Sequence, residues 1–243
     1  MSVNYAQLTA LALDPIEKKP LARFHPGTQI LSVGSFGCNM ACPFCQNFNI
    51  AEGRQSDIGT REVSPEELAR IAVSLKPRGN IGAAFTYNEP MVGFEYVRDA
   101  AKLIKAEGMH TAVVTNGCVA QWVLQEVLSY IDAFNVDLKS FASEGYRRLG
   151  GDLELVKAFI RTAAKQAHVE VTTLVVPGLN DTEAEIREMT QWLASISPDI
   201  PYHISRFFPH KDMADTPPTD IPLLYRLRDI AKERLHYVYL GNV

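Results

Sequence analysis

A chain of 243 residues, 47% apolar and 21% charged, has the composition and length of a globular protein with a substantial core, which excludes a disordered or membrane-embedded chain. Its net charge of -4 offers no electrostatic basis for nucleic-acid binding, and no apolar run approaches the ~20 residues needed to cross a bilayer. The N-terminus, MSVNYAQLTALALDPIEKKP, has neither a basic start nor a small-residue cleavage site, so no leader is expected and the expected location is the cytoplasm.

QILSVGSF (29–36) reads as the first strand. The next element opens at SPEEL: Ser64 is an N-cap candidate, Pro65 suits the first helical position, and Glu67 completes a capping box. NIGAAFTY (80–87) is the second strand. Phe94, Val97, Ala101 and Ile104 form the next helical stripe, which ends near Gly108. HTAVVTNG (110–117) and DAFNVDLK (132–139) are the third and fourth strands, with a helix over Trp122–Tyr130 between them. HVEVTTLVVPG (168–178) is the fifth, and Thr182 with Glu185 announces a helix after it. PYHISRFFP (201–209) is the sixth, followed by a helix over 222–234 and a short last strand, HYVYLG (236–241).

Strands apolar on both faces and alternating with helices predict a parallel sheet covered by helices. Six βα units suit an α/β fold of the partial (β/α)6 TIM-like barrel kind, with a flat doubly wound sheet as the alternative. The expected organisation is one core domain over 1–243, with 1–28 as lead-in and 29–241 as barrel. Both architectures place chemistry at the C-terminal ends of the strands, where the polar punctuation of this sequence falls.

The first of those ends carries GCNMACPFCQN, which holds three of the four cysteines. In a reducing compartment such a cluster points to metal rather than to disulfides. Three thiolates on a short loop can hold three irons of a [4Fe–4S] cluster and leave one iron open for chemistry, whereas electron-transfer clusters use four cysteines. A zinc site wants a fourth ligand, and no second C-x2-C pair is present; His25 belongs to no familiar spacing. Cys118 is expected to be a core thiol rather than a ligand. The metal ligands expected are Cys38, Cys42 and Cys45.

C-x3-C-x2-C with an aromatic before the last cysteine resembles the radical S-adenosylmethionine (SAM) superfamily. The likeness extends through DPIEKKPL, FHPGT, TYNEP, VTNG, NVDLK, VEVTTLVVPGLND, HISRFFP and YVYLGNV. It is nearest to the pyruvate formate-lyase activating enzymes and, among such proteins, to the AmmeMemoRadiSam-system radical SAM enzymes. The resemblance implies that SAM occupies the open iron and is cleaved reductively to a 5′-deoxyadenosyl radical, which abstracts hydrogen from a substrate. It implies an electron donor such as flavodoxin or ferredoxin, and a protein substrate activated by a glycyl radical as one possibility. Many members carry Cys-rich flanks or a ferredoxin-like insert; neither stands here, so one cluster is expected.

The same resemblance supplies the cofactor-binding set. Phe44 packs against the adenine, with a loop aromatic that anchors the core as the alternative. Asn88 and Glu89 of TYNEP receive the SAM amine, with a turn ahead of a helix as the alternative, and Thr115 and Asn116 of VTNG end the third strand within the same set. Asp137 accepts the ribose hydroxyls and Lys139 meets a carboxylate; the alternative for both is a strand-end ion pair. Thr172 stands where some relatives have an arginine for the methionine carboxylate, so either its hydroxyl or Arg206 serves. His203 matches a SAM-contacting histidine, with a satisfied core residue as the alternative. A reading of another class, an iron–sulfur electron carrier or redox sensor, requires a fourth protein ligand.

Overall fold

Two short strands precede the first one expected. The computed structural model describes residues 2–53 and 55–243. In it β1 (Gln7–Leu8) is followed by β2 (Ala10–Pro15), which runs antiparallel to β3 (Gln29–Gly34) from Ala10↔Gly34 to Pro15↔Gln29. The short helix α1 (Phe48–Ala51) follows the cysteine loop, and β4 (Arg61–Glu62) returns to pair with β1. The remaining units are α2 (Pro65–Ser74), β5 (Asn80–Thr86), α3 (Phe94–Ala106), β6 (His110–Thr115), α4 (Gln121–Leu128) and β7 (Ala133–Asp137). After them come α5 (Ser143–Arg148), α6 (Leu153–Ala163), β8 (His168–Val175), α7 (Glu183–Ile196), β9 (Tyr202–Arg206), α8 (Ile221–Lys232) and β10 (Val238–Gly241).

The main sheet has the order β10-β9-β8-β7-β6-β5-β3-β2, parallel except for β2. Each parallel strand lies beside its successor. A doubly wound sheet would reverse direction at a switch point, so this order is that of a barrel wall. Among the described residues the wall ends at β2 on one side and β10 on the other, and the barrel is partial.

Helix starts follow local chemistry. Ser64 Oγ accepts from Glu67 N (3.2 Å) and Thr182 Oγ1 from Glu185 N (3.2 Å). The carboxylates at the third positions are engaged elsewhere than in the expected boxes. Glu67 bonds Arg61 (2.6 Å), and Glu185 accepts from Ser140 Oγ (2.7 Å) and Phe141 N (2.6 Å), which ties α7 to the loop after β7. The stretch between β7 and β8 makes two helices, the second capped by Asp152.

Two apolar layers fill the fold. The larger lies between the sheet and its helices, where Phe134 of β7 meets Phe159 of α6 edge to face at 5.3 Å. The smaller is inside the barrel. Ile16 and Leu21 of the lead-in are fully buried against Ile30, Ala84, Ala112 and Ala133. The alanines leave room that these two side chains fill, so the lead-in plugs the end of the barrel where the strands begin.

Candidate active site

The cysteine loop leaves β3 through Gly37, whose φ of +91° belongs to the left-handed region that glycine adopts without strain. It is pinned on several sides. Ala41 N donates to Leu149 O (2.9 Å), Asn39 Nδ2 to Cys118 O (2.6 Å) and Asp212 N to Pro43 O (3.0 Å), and Lys211 Nζ bonds both Cys42 O and the Glu52 carboxylate. Cys38, Cys42 and Cys45 all line one cavity of about 370 Å³, with Phe44, itself buried, beside them. Burial pushes the Cys38 thiol up to about 11 and raises Cys42 as well, so without a cation these thiols keep their protons. Cys38 Sγ accepts from Met40 N (3.4 Å), and Asn116 Nδ2 lies 3.8 Å away, N–H partners of the kind that a thiolate ligand uses.

Among the described residues, no three His, Cys, Asp or Glu side chains converge as a single-ion site requires. A [4Fe–4S] cluster asks for a different arrangement, in which each thiolate meets a different iron. Three thiols on one loop around one cavity fit that donor set. Cys118 faces elsewhere: its sulfur accepts from Asp152 N (3.2 Å) at the start of α6, and it is not part of the cavity wall.

The strand ends build the rest of the wall. Glu89 is 2% exposed and accepts from Met91 N (3.0 Å), Thr115 Oγ1 (2.7 Å) and Asn116 N (2.7 Å). Burial raises its pKa against those hydrogen bonds. Its carboxylate therefore joins the end of β5 to the end of β6. Asn88 does similar work toward β3. Its Oδ1 accepts from Ser35 N (3.1 Å), and its Nδ2 donates to Phe36 O and Gly37 O (both 3.1 Å). Asn88→Ala takes the acceptor from Ser35 N, while Phe36 O keeps Asn4 Nδ2 and Gly37 O keeps Glu89 N, so we expect a loss of about 1–3 kcal/mol and reduced iron per chain after reconstitution, read by urea unfolding and iron assay.

Asp137 Oδ2 and Lys139 Nζ form a 2.8 Å ion pair on the far side of the cavity. Burial opposes the charge on Lys139, but Asp137 and the nearby Cys42 keep its pKa above the ordinary lysine value. Thr172 also lines the cavity while donating to Asn135 Oδ1 (3.0 Å).

His203 and Arg206 do not line it. His203 Nε2 lies 2.6 Å from Glu170 Oε2, and its ring stacks on Tyr239 at 5.2 Å. Glu170 also accepts from Ala22 N (3.0 Å) and Arg23 N (2.8 Å) and meets His168 Nε2 at 2.9 Å. His203 thus belongs to the anchor of the lead-in. Arg206 Nε donates to Thr219 O (2.9 Å), and its guanidinium covers Phe208 at 5.0 Å. Lys18, Lys19, Tyr87 and Ser205 line the cavity without having been singled out from sequence. DPIEKKPL and TYNEP flagged the segments of the first three, but no motif said which way their side chains turn.

A family model for the radical SAM superfamily matches residues 32–193. The chain belongs to the radical SAM superfamily. It is 37% identical over 246 residues to an uncharacterized protein of Methanocaldococcus jannaschii, covering all of this chain and 72% of that one. It is also 30% identical over 182 residues to the pyruvate formate-lyase 1-activating enzyme of Escherichia coli K12, covering 69% of this chain and 71% of that one. A domain of a pyruvate-formate lyase-activating enzyme from Bacteroides vulgatus superposes with a TM-score of 0.57 at 23% identity, covering 66% of this chain and 99% of that one. A radical SAM methyltransferase from Sphaerobacter thermophilus gives 0.67 at 14% identity, covering 89% and 67%. These two structures share the fold. Membership of a family that uses an iron–sulfur cluster and SAM agrees with the donor set of the cysteine loop. The partial barrel expected for a radical SAM chain is the one described above.

Proposed function

We propose that Cys38, Cys42 and Cys45 hold one [4Fe–4S] cluster with an open iron, and that the cavity beside them binds SAM and the substrate of a radical reaction. One observation carries this reading: three thiols and a wall of charged strand ends share a single cavity, while the fourth cysteine is turned into the α6 start. Held there, the cluster would supply one-electron reduction of SAM, giving methionine and a 5′-deoxyadenosyl radical that would take a hydrogen atom from the substrate.

The chain's own residues bind and enclose. Asp137 offers acceptors for ribose hydroxyls, and Lys139 a cation for a carboxylate. Thr115, Asn116 and Thr172 present polar groups at neighbouring strand ends, and Phe44 an apolar face suited to a base. Glu89 Oε2 takes a single bond, from Asn116 N, and has acceptor capacity left for an ammonium. The plug closes the end of the barrel where the strands begin and limits water from that side, which protects a reactive intermediate.

The names of the activating-enzyme relatives, and a structural neighbour, Streptococcus suis SuiB, bound to precursor peptide SuiA, support a protein or peptide as substrate, with glycyl-radical formation the specific form. A flavodoxin- or ferredoxin-type donor in the cytoplasm would supply the electron. The test is anaerobic reconstitution with iron and sulfide, then EPR of the reduced protein with and without SAM, with 5′-deoxyadenosine assayed in the same tube. A SAM-sensitive [4Fe–4S] signal together with the nucleoside is the expected result. A cluster indifferent to SAM, with no nucleoside, removes the reading in favour of an electron carrier.

A further inference from the structure

We propose that Lys18 and Lys19 form an anion subsite that receives a carboxylate or phosphate group of the substrate. The inference rests on the reading of the cavity given under Proposed function. Both lysines line the cavity that holds the three cysteines, yet they come from the lead-in rather than from a strand end. Ile16, two residues earlier, is fully buried in the plug and fixes the turn that carries them.

Their charge is only half compensated. The Asp14 carboxylate meets Lys18 Nζ through Oδ1 and Lys19 Nζ through Oδ2, each at 3.1 Å. The same carboxylate accepts from Ser32 Oγ (2.8 Å) and Tyr87 Oη (3.1 Å). One carboxylate against two ammonium groups leaves a surplus positive charge. The other charges on the wall are matched: Lys139 pairs with Asp137 and Glu52 with Lys211, while Glu89 stands ready for the ammonium of SAM. The lysine pair is thus the part of the wall that keeps a surplus charge after its protein partner, Asp14, is counted.

The pair is also positioned in advance. The Lys19 side chain is 4% exposed, and its ammonium sits 4.7 Å above the Tyr87 ring, so little rotamer freedom remains to be lost on binding. Tyr87 holds its place at φ +77°, in the left-handed region unusual for an aromatic residue, with its carbonyl accepting from Asn47 Nδ2 (2.8 Å) beside the cysteine loop. The Lys18 side chain is 65% exposed and able to swing onto a ligand. Among the described residues each ammonium bonds Asp14 with one of its three N–H groups, which leaves two for an oxyanion. Burial lowers the Lys19 pKa, with Asp14 opposing, and a bound anion would offset that burial further. In the sheet order these lysines lie at the β2–β3 side and Asp137 and Lys139 at the end of β7, so substrate and SAM carboxylates would be held on different walls.

The experiment is calorimetric titration of the reconstituted protein with inorganic phosphate and with succinate at matched ionic strength, for wild type, Lys18→Arg, Lys18→Gln and Lys19→Gln. At least one anion is expected to bind the wild type saturably, with about tenfold weaker binding in Lys18→Gln and near-normal binding in Lys18→Arg. Preference for phosphate or for succinate identifies the group the substrate carries. Absence of binding of either anion to the wild type overturns the proposal, as does equal binding by Lys18→Gln. Lys18 is mostly exposed, so its variants remain informative if the buried Lys19→Gln fails to fold. 5′-Deoxyadenosine formation by the wild type without added anion reports on the SAM reading separately: its absence removes that reading, whereas the titration tests the lysines.

Discussion

Serine in place of Cys38, Cys42 or Cys45 abolishes cluster loading and lowers 5′-deoxyadenosine formation by about a thousandfold or more, because the cofactor rather than any side chain carries the bond-breaking chemistry. Cys118→Ser keeps both. The contrast follows from position. The three loop cysteines line the cavity, while the Cys118 sulfur is spent on the Asp152 N–H at the head of α6. A serine oxygen is a poor substitute for a soft thiolate on iron, and each loop position supplies one ligand with no spare among the described cavity residues. Iron and sulfide per chain after anaerobic reconstitution, together with the nucleoside assay, check the result, and circular dichroism confirms that each variant is folded. Loss of iron in Cys118→Ser would mean a four-cysteine cluster and would turn the function toward electron transfer.

Glu170→Ala is expected to cost about 3–5 kcal/mol, a larger loss than that of an ordinary surface carboxylate, because the carboxylate is fully buried and its removal leaves the buried His203 and two part-buried backbone N–H groups without their acceptor. Two backbone N–H groups of the lead-in, Ala22 and Arg23, end on this carboxylate, and His168 and His203 flank it. For a chain of this size the melting temperature should fall by about 6–20 °C. Burial alone would raise the Glu170 pKa, but hydrogen bonds from His168, His203 and the Arg23 N–H outweigh it and hold the group at about 2. The folded value lies below the ordinary 4.5, so the stabilisation is complete above about 4.5 and is lost as pH falls toward 2. Urea midpoints between pH 6 and pH 3 should therefore fall more steeply for wild type than for Glu170→Gln. Equal slopes would remove Glu170 as the origin of the acid sensitivity.

Much of the fold was legible because its signals are local. A capping serine, a proline at the first helical position and runs of β-branched residues act within a few positions of themselves, and α2, α7 and the seven parallel strands appear where those signals lie. The antiparallel β2 was not legible. ALALDP has no partner until the lead-in folds back beside β3, and that pairing is long-range. The two glutamates at the third helical positions show the same limit. Their spacing from Ser64 and Thr182 is that of a capping box, but Arg61 and the Ser140–Phe141 loop compete for the carboxylates through contacts that no short window contains.

The site divides along the same line. The spacing of Cys38, Cys42 and Cys45 and their position after the first barrel strand are properties of the chain itself, since a short loop carries its ligands together wherever it is placed. The collection of Glu89, Thr115, Asn116, Asp137, Lys139 and Thr172 at strand ends follows from a parallel sheet, which brings all those ends to one side. Tertiary structure alone decided the rest. His203 shares a face of β9 with Ser205, but it stands two residues earlier, about 6–7 Å lower along the strand, and so reaches Glu170 and the plug instead of the cavity. Lys18 and Lys19 reach the cavity because Ile16 and Leu21 fill the space that Ala84, Ala112 and Ala133 leave inside the barrel. Local sequence sets which groups travel together along the chain; the depth to which a side chain is carried depends on the volumes packed beneath it, and those come from strands distant in sequence.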